Sequence, residues 1–390
     1  MLKSNKMKKN ATYLLVLGLL VTIVACQDNT ERTQLNRYTD EEWQVLGNVV
    51  DLPEQTYNYD VTFPRHFQNF GGGELFISAD MATLGRVLFY DKKLSANDEV
   101  SCSSCHSQAN AFSDKVALSD GFEGVKTKRN SFALGTVPNF EASYGGFGGE
   151  SHLFWDERAM TIEQQCEMTI SDPIEMGMNL ADLAEKLKKE AYYRVLFQKA
   201  FQTEEIQEQL IVSALSQFIR SFSTTQTKFD EGLNNVLDIE VDFPNFTSKE
   251  NIGKTLFMAN CESCHGGSQF TPNISTANNG LDAVYTDNGI GEISNLSFQD
   301  GVFKVPLLRN VKLTDPYMHD GRFATLEAVI DHYSNGISNH TNLHPNLKTN
   351  ANQPIRMNFT QTEKEALIAY LNTFTDEEFI RDVRFSDPFK

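Results

Sequence analysis

Positive charge is what this chain has least of for its size. Its 390 residues carry 34 lysines and arginines against 52 aspartates and glutamates, a formal charge of −18. That field repels a phosphate backbone, which argues against nucleic acid as a partner, and it attracts basic proteins instead. Long apolar runs are scarce as well. One occurs, the twelve uncharged residues of "YLLVLGLLVTIV", and a bilayer needs about 20. Sustained alternation of apolar and polar residues is also missing, which argues against large sheets and for a mainly α fold. Cysteine is sparse too: there are six, and their positions leave almost none for disulfides.

The short apolar run follows Lys3, Lys6, Lys8 and Lys9 and ends "IVAC". A charged start, a short apolar centre and small residues before a cysteine describe a signal peptide, here of the bacterial lipoprotein kind. Residues 1–26 are therefore expected to leave the fold, with Cys26 lipidated. The alternatives are an ordinary cleaved signal or an uncleaved anchor. The body is expected on the periplasmic side of a bacterial membrane, held by the lipid alone, with polar residues 27–45 as a tether.

From about Met81 the chain reads as helices joined by loops. "ADLAEKLKKEAYYRVLFQKAF" and "EQLIVSALSQFIRSF" space Leu and aromatic residues by three and four, the period of an amphipathic helix. "TEKEALIAYLNTF" is a third, with Thr362 as its expected N-cap. "DFPNFTSKEN" reads as a linker, dividing residues 46–240 from 246–375, with 376–390 a tail returning to the first unit. "LGRVLFYD" and "IGKTLFMANC" form a weak internal repeat, each an apolar–Gly–x–x–Leu–Phe helix before a cysteine motif.

Those motifs are "CSSCH", Cys102 to His106, and "CESCH", Cys261 to His265. The spacing is that of covalent c-type haem attachment. Two thiols, Cys102 with Cys105 and Cys261 with Cys264, add to the porphyrin, and the adjacent His106 or His265 reaches the iron. A zinc site would need the pairs to converge, and the histidine after each would then be coincidence. One chance match in a chain of this length is on the order of a few per thousand at average composition. Two c-type haems on two cytochrome c-like units are expected, with Cys166 left over as a buried thiol on a helix.

From Leu84 to about Phe374 the chain resembles bacterial dihaem cytochrome c peroxidases and their MauG-like relatives. The matching pieces run in family order: "LGRVLFYDKKLS", "SCSSCH", "KRNSF", "FWDERAMTIEQQ", "DPIEM", "CESCH", "FKVPLLRNVKLTDPYMHDGRFATLE" and "HYSNG". The resemblance implies a peroxidatic first haem and an electron-transferring second haem, with Trp155 between them. It implies Glu175 as distal acid–base and Gln165 as its polar companion. Peroxide cleavage requires a proton moved from one oxygen to the other, which is carboxylate chemistry. It also implies a calcium ion held by Asn130 and the carbonyls of Thr314 and Pro316, oxygen ligands that suit a hard cation.

Several residues depart from the family pattern. Phe122 stands in the loop "SDGFEGVKTKRN" where activated peroxidases carry a ligating histidine. The first haem is therefore expected to be five-coordinate, with His152 as the substitute ligand to test. Thr169 replaces a proline, and Glu157 a glycine. At the second haem, a helix capped by Thr325 places Leu326, Val329, Ile330 and Tyr333 on one face. His332 lies about 100° round from Tyr333. The family register also puts the distal ligand at Tyr333, with Met318 in reserve and His319 beside the haem. A phenolate favours ferric iron, whereas a thioether favours ferrous.

The expected activity is reduction of hydrogen peroxide to water with electrons from a small cytochrome or copper protein. The alternatives are a MauG-like enzyme that oxidises a partner protein through high-valent haem, and a non-enzymatic dihaem electron carrier. The sequence leaves the oligomeric state open, a homodimer included.

Overall fold

The computed structural model describes residues 38–68, 74–143 and 151–390. The leader, Cys26 and residues 27–37 of the tether lie outside the described residues, as does most of the Gly-rich stretch "YGGFGGES". The described chain is mainly α, in keeping with the missing strand alternation. Its strands are two short antiparallel pairs, Val61–Thr62 with Glu74–Leu75 and Thr276–Ala277 with Phe303–Lys304. Among the described residues no helix is long and apolar enough to cross a membrane.

Two apolar clusters form the main cores. The first draws on helices Ala79–Tyr90, Ile162–Ser171, Leu180–Leu187, Ala191–Phe201 and Glu208–Arg220. The second joins Phe229, Phe243 and Phe257 to Tyr370 and Phe374. Helix Lys228–Val236, which the linker-based division leaves with the first unit, packs Phe229 and Leu233 into the second cluster. Phe379 and Phe385 of the tail belong to the first cluster. Tyr90 donates to the Phe385 carbonyl at 2.6 Å.

The repeat in the sequence has a packing cause. Gly85 faces the Ala214 carbonyl across the Ala79–Tyr90 and Glu208–Arg220 pair, where an added Cβ would overlap that oxygen. Gly253 makes the same approach to the Ala366 carbonyl, bringing helix Ser248–Asn260 onto Gln361–Asn372. Each copy uses glycine to let two helix backbones touch, and each leads into a cysteine motif.

Two local expectations are corrected. The run from Ala181 to Phe201 is two helices, Leu180–Leu187 and Ala191–Phe201. Leu180, Leu183, Ala184 and Leu187 face the core in the first and Tyr192, Tyr193, Leu196 and Phe197 in the second. One continuous helix would bring Glu190 and Arg194 inward instead, so the break resets the phase. The last helix is capped by Thr360, not Thr362: Thr360 and Glu363 close a reciprocal capping box.

Buried charge ties helix Lys228–Val236 to the second unit. Arg309 donates to both oxygens of Asp230 at 2.8 and 2.7 Å, and to the carbonyls of Thr224 and Gln269. Burial alone would raise the Asp230 carboxyl, but Arg309 and the bonds around it pull it down to about 2.

Candidate haem sites and their distal residues

Cys102–Cys105 and Glu262–His265 are single helical turns, which brings both thiols and the histidine to one side of the backbone. The His106 Nδ1–H donates to the Phe112 carbonyl at 2.9 Å, and the His265 Nδ1–H to the Pro306 carbonyl at 2.8 Å. In each imidazole this fixes the tautomer and leaves Nε2 with its lone pair for a metal. Burial keeps both rings neutral by lowering their pKa. It also pushes the Cys102 and Cys261 thiols up to about 12. All four motif cysteines are free, and among the described residues no three His, Cys, Asp or Glu side chains converge on a metal position. The two pairs thus do not share a tetrahedral zinc site, and the donor set fits two separate haems.

The second site is an apolar cavity whose walls include Cys261, Cys264 and His265, with Trp155, Met318 and Tyr333. Helix Leu326–Asp331 starts at Thr325, whose hydroxyl accepts from the Ala328 N–H, and runs into a π-turn, His332–Gly336. Such turns widen the helix by a residue and recur at functional sites. Leu326, Val329, Ile330 and Tyr333 all line the cavity. So does Met318, held at φ +78° in the turn before the helix. The Asn279 amide meets both candidates, donating to the Tyr333 hydroxyl at 3.4 Å and the Met318 sulfur at 3.6 Å. His332 turns to the Asn279 carbonyl, 3.1 Å from its Nε2. His319 stacks on Phe303 with ring centroids 3.8 Å apart.

Trp155 comes from the first unit but lines this second cavity. Its indole N–H donates to the Asn130 carbonyl at 2.9 Å, and its own carbonyl accepts from the Lys304 N–H at 2.8 Å. Glu157 sits at φ +56°, a conformation glycine adopts without cost, and its carboxylate reaches Ser275 and the buried Lys304 ammonium. His152 lies 3.8 Å from the Glu157 carboxylate. Asn130 gives its amide nitrogen to the carbonyls of Val116 and Ala117. With Thr314 and Pro316 it is among the residues that line the cavity.

Around the first motif, helix Ile162–Ser171 presents Gln165 and Thr169 one turn apart on one face. Burial raises the pKa of the Cys166 thiol, and the nearby Cys102 adds to the rise. Asp172 then folds the chain back by accepting from the Ile174 and Glu175 N–H groups. The half-buried Glu175 carboxyl is pushed up to about 7, by burial first and by Asp172 second, against a hydrogen bond from Thr169. Its charge is felt by Cys102 and Cys105, so it lies beside the first haem motif. Phe122 donates its N–H to the Glu175 carbonyl at 3.0 Å, and its ring covers Gly177. Sequence reasoning missed the roles of Asn279 and of Thr169 as Glu175's partner, since neither stands in a spaced motif.

A dihaem oxidoreductase is the class that these two motifs and their flanking polar residues define. The model of the di-haem cytochrome c peroxidase family matches residues 79–236. The methylamine utilization protein MauG of Methylorubrum extorquens is 32% identical over 77% of this chain and 80% of its own. The cytochrome c551 peroxidase of Nitrosomonas europaea is 29% identical over 77% of this chain and 81% of its own. A MauG-like protein associated with microbial copper homeostasis superposes with a TM-score of 0.69. It is 31% identical over 84% of this chain and 97% of its own. The chain belongs to the di-haem cytochrome c peroxidase and MauG family, and with it come two haems and peroxidase-type oxidoreductase chemistry.

Proposed function

We propose that the protein reduces hydrogen peroxide to water at the first haem, drawing two electrons and two protons per peroxide. The haems are attached covalently, through Cys102 and Cys105 and through Cys261 and Cys264, with His106 and His265 as proximal ligands. When bound, the haem supplies the electrons and the coordination position that weaken the O–O bond. Glu175 accepts the proton from one peroxide oxygen and returns it to the other, so that water is the leaving group. Gln165 orients the peroxide. Phe122 has no lone pair to offer iron, which leaves the first haem open to substrate. The observation that carries this reading is Glu175, a half-buried carboxyl held near neutrality beside the first haem motif.

Electrons enter from a small, basic redox protein, a cytochrome or a cupredoxin, drawn by the charge of −18. They reach the first haem by way of the second haem and Trp155. Asn130 with the carbonyls of Thr314 and Pro316 holds a calcium ion between the units, supported by all three lining one cavity. The mature protein is tethered at Cys26 on the periplasmic side of a bacterial membrane. Cys26→Ser is expected to release it to the soluble fraction, as fractionation and immunoblotting would report.

The test is steady-state peroxide turnover with reduced cytochrome c. Sustained turnover supports the peroxidase. Negligible turnover with a long-lived oxidised state after peroxide supports the second reading, a MauG-like oxidation of a partner protein. Tyr333 on the wall of the second cavity favours that reading, since phenolate ligation makes a poor store for a reducing electron.

A further inference from the structure

Two side chains able to bind iron share one hydrogen-bond donor. The Asn279 amide lies 3.4 Å from the Tyr333 oxygen and 3.6 Å from the Met318 sulfur. A carboxamide nitrogen has two hydrogens, so this group serves both acceptors and no third.

The rest of Asn279 is fixed. Its carbonyl accepts from His332 Nε2 at 3.1 Å, which ties it to the residue preceding Tyr333. Its neighbour Asn278 is buried and accepts from the Gly280 N–H at 2.9 Å and the Tyr285 hydroxyl at 3.3 Å. Met318 is equally constrained from its own side. Its φ of +78° costs a non-glycine residue about 1–2 kcal/mol. The turn is closed by the Gly321 N–H on the Met318 carbonyl and by pairing of Tyr317 with Phe323. Strain of this kind persists where the surroundings dictate the conformation, and here it brings a thioether to the wall of the cavity that holds His265.

We propose that Asn279 is a positioning residue that selects the distal ligand of the second haem, holding the Met318 thioether back and presenting the Tyr333 oxygen. This rests on the reading that a haem is held at His265. A hydrogen bond to the sulfur engages one of its two lone pairs and ties the thioether to the amide, which weakens a donor already poorer than phenolate for ferric iron. A hydrogen bond to the phenolic oxygen orients that oxygen and leaves a second lone pair for the metal. Without the amide, Met318 competes, and the site moves from a ligand that favours ferric iron toward one that favours ferrous. His332 acts through Asn279, by fixing its carbonyl.

The experiment uses the holoprotein and counts its haems by pyridine haemochrome. Near-infrared and EPR spectra and the potential of the second haem are then recorded for wild type, Asn279→Leu, Met318→Leu and the double variant. Asn279→Leu is expected to give a methionine-to-ferric-iron charge-transfer band and an upward shift in potential. Met318→Leu alone is expected to keep the wild-type spectrum, and the double variant to lose the new band and return toward the wild-type potential. If Asn279→Leu does not fold, Asn279→Ser, which cannot span both acceptors, is expected to show the same shift in smaller measure. Two haems with an unmoved spectrum and potential in the Asn279 variant overturn the proposal alone. So does loss of the distal-ligand signature in Met318→Leu, which would make Met318 the resting ligand. Fewer than two haems in the wild-type protein overturns the haem reading, and the proposal with it.

Discussion

In the proposed reaction, Glu175 shows how much depends on one side chain and its immediate surroundings. Burial and the nearby Asp172 hold its carboxyl at about 7, within reach of physiological pH in either protonation state. Accepting the peroxide proton requires the ionised form, so turnover is expected to rise with pH through about 7 and to fall on the acid side. Glu175→Gln is expected to lower kcat/KM for peroxide by about 10²–10⁴-fold. It should also flatten the pH profile in that window, which separates loss of a proton carrier from loss of structure. Thr169→Val removes the bond that opposes the upward shift, so the rising limb should move to higher pH. Steady-state turnover measured across the same pH range reports it. The motif located Glu175, but Thr169 looked only like a missing proline. Its hydroxyl acquires a role because the turn at Asp172 brings Glu175 back over it.

Helices and turns obey rules that a sequence displays, as long as neighbours do not intervene. Thr325 caps its helix and Tyr333 faces the cavity, as the period required. The break between Leu187 and Ala191 was harder to read, because Lys188, Lys189 and Glu190 are all acceptable in a helix. Only the shift in buried phase explains the interruption. The two repeat glycines were legible as a pattern and not as a cause. Each lies where a second helix's backbone passes, 129 or 113 residues further along the chain. Gly85→Ala or Gly253→Ala must push two helices apart and is expected to cost about 1–3 kcal/mol. Urea unfolding checks this. Since the two sites lie in different clusters, their effects should add.

The whole molecule depends on charges that meet across long sequence separations. Arg309 is fully buried against Asp230, and removing one partner leaves the other unpaired in the interior. Arg309→Met is expected to destabilise by about 3–5 kcal/mol. The sign with pH follows from the direction of the shift. Asp230 is depressed to about 2, so its contribution is complete above its unfolded pKa of about 4 and is lost as pH falls toward 2. Arg309→Met removes the largest lowering influence on Asp230 and leaves only that of His66, so urea midpoints should fall less steeply than in wild type between pH about 4 and 2. Trp155 and Glu157 also work at this scale. Both arise from the first unit, yet one lines the second unit's cavity and the other reaches its Ser275 and Lys304.

By itself the sequence determined whatever depends on neighbours along the chain. A haem-attachment motif is written in five consecutive residues, a helix cap in four, and an inward face in a period of three and four. Its motif order revealed the family. Tertiary structure decided whatever depends on residues that only folding brings together. Tyr333 and Met318 both reach the cavity, and the amide that donates to both comes from Asn279, 54 and 39 residues earlier. The physical reason is that a hydrogen bond is set by position in space, within a few tenths of an ångström. Spacing along the chain carries that information only within a single turn.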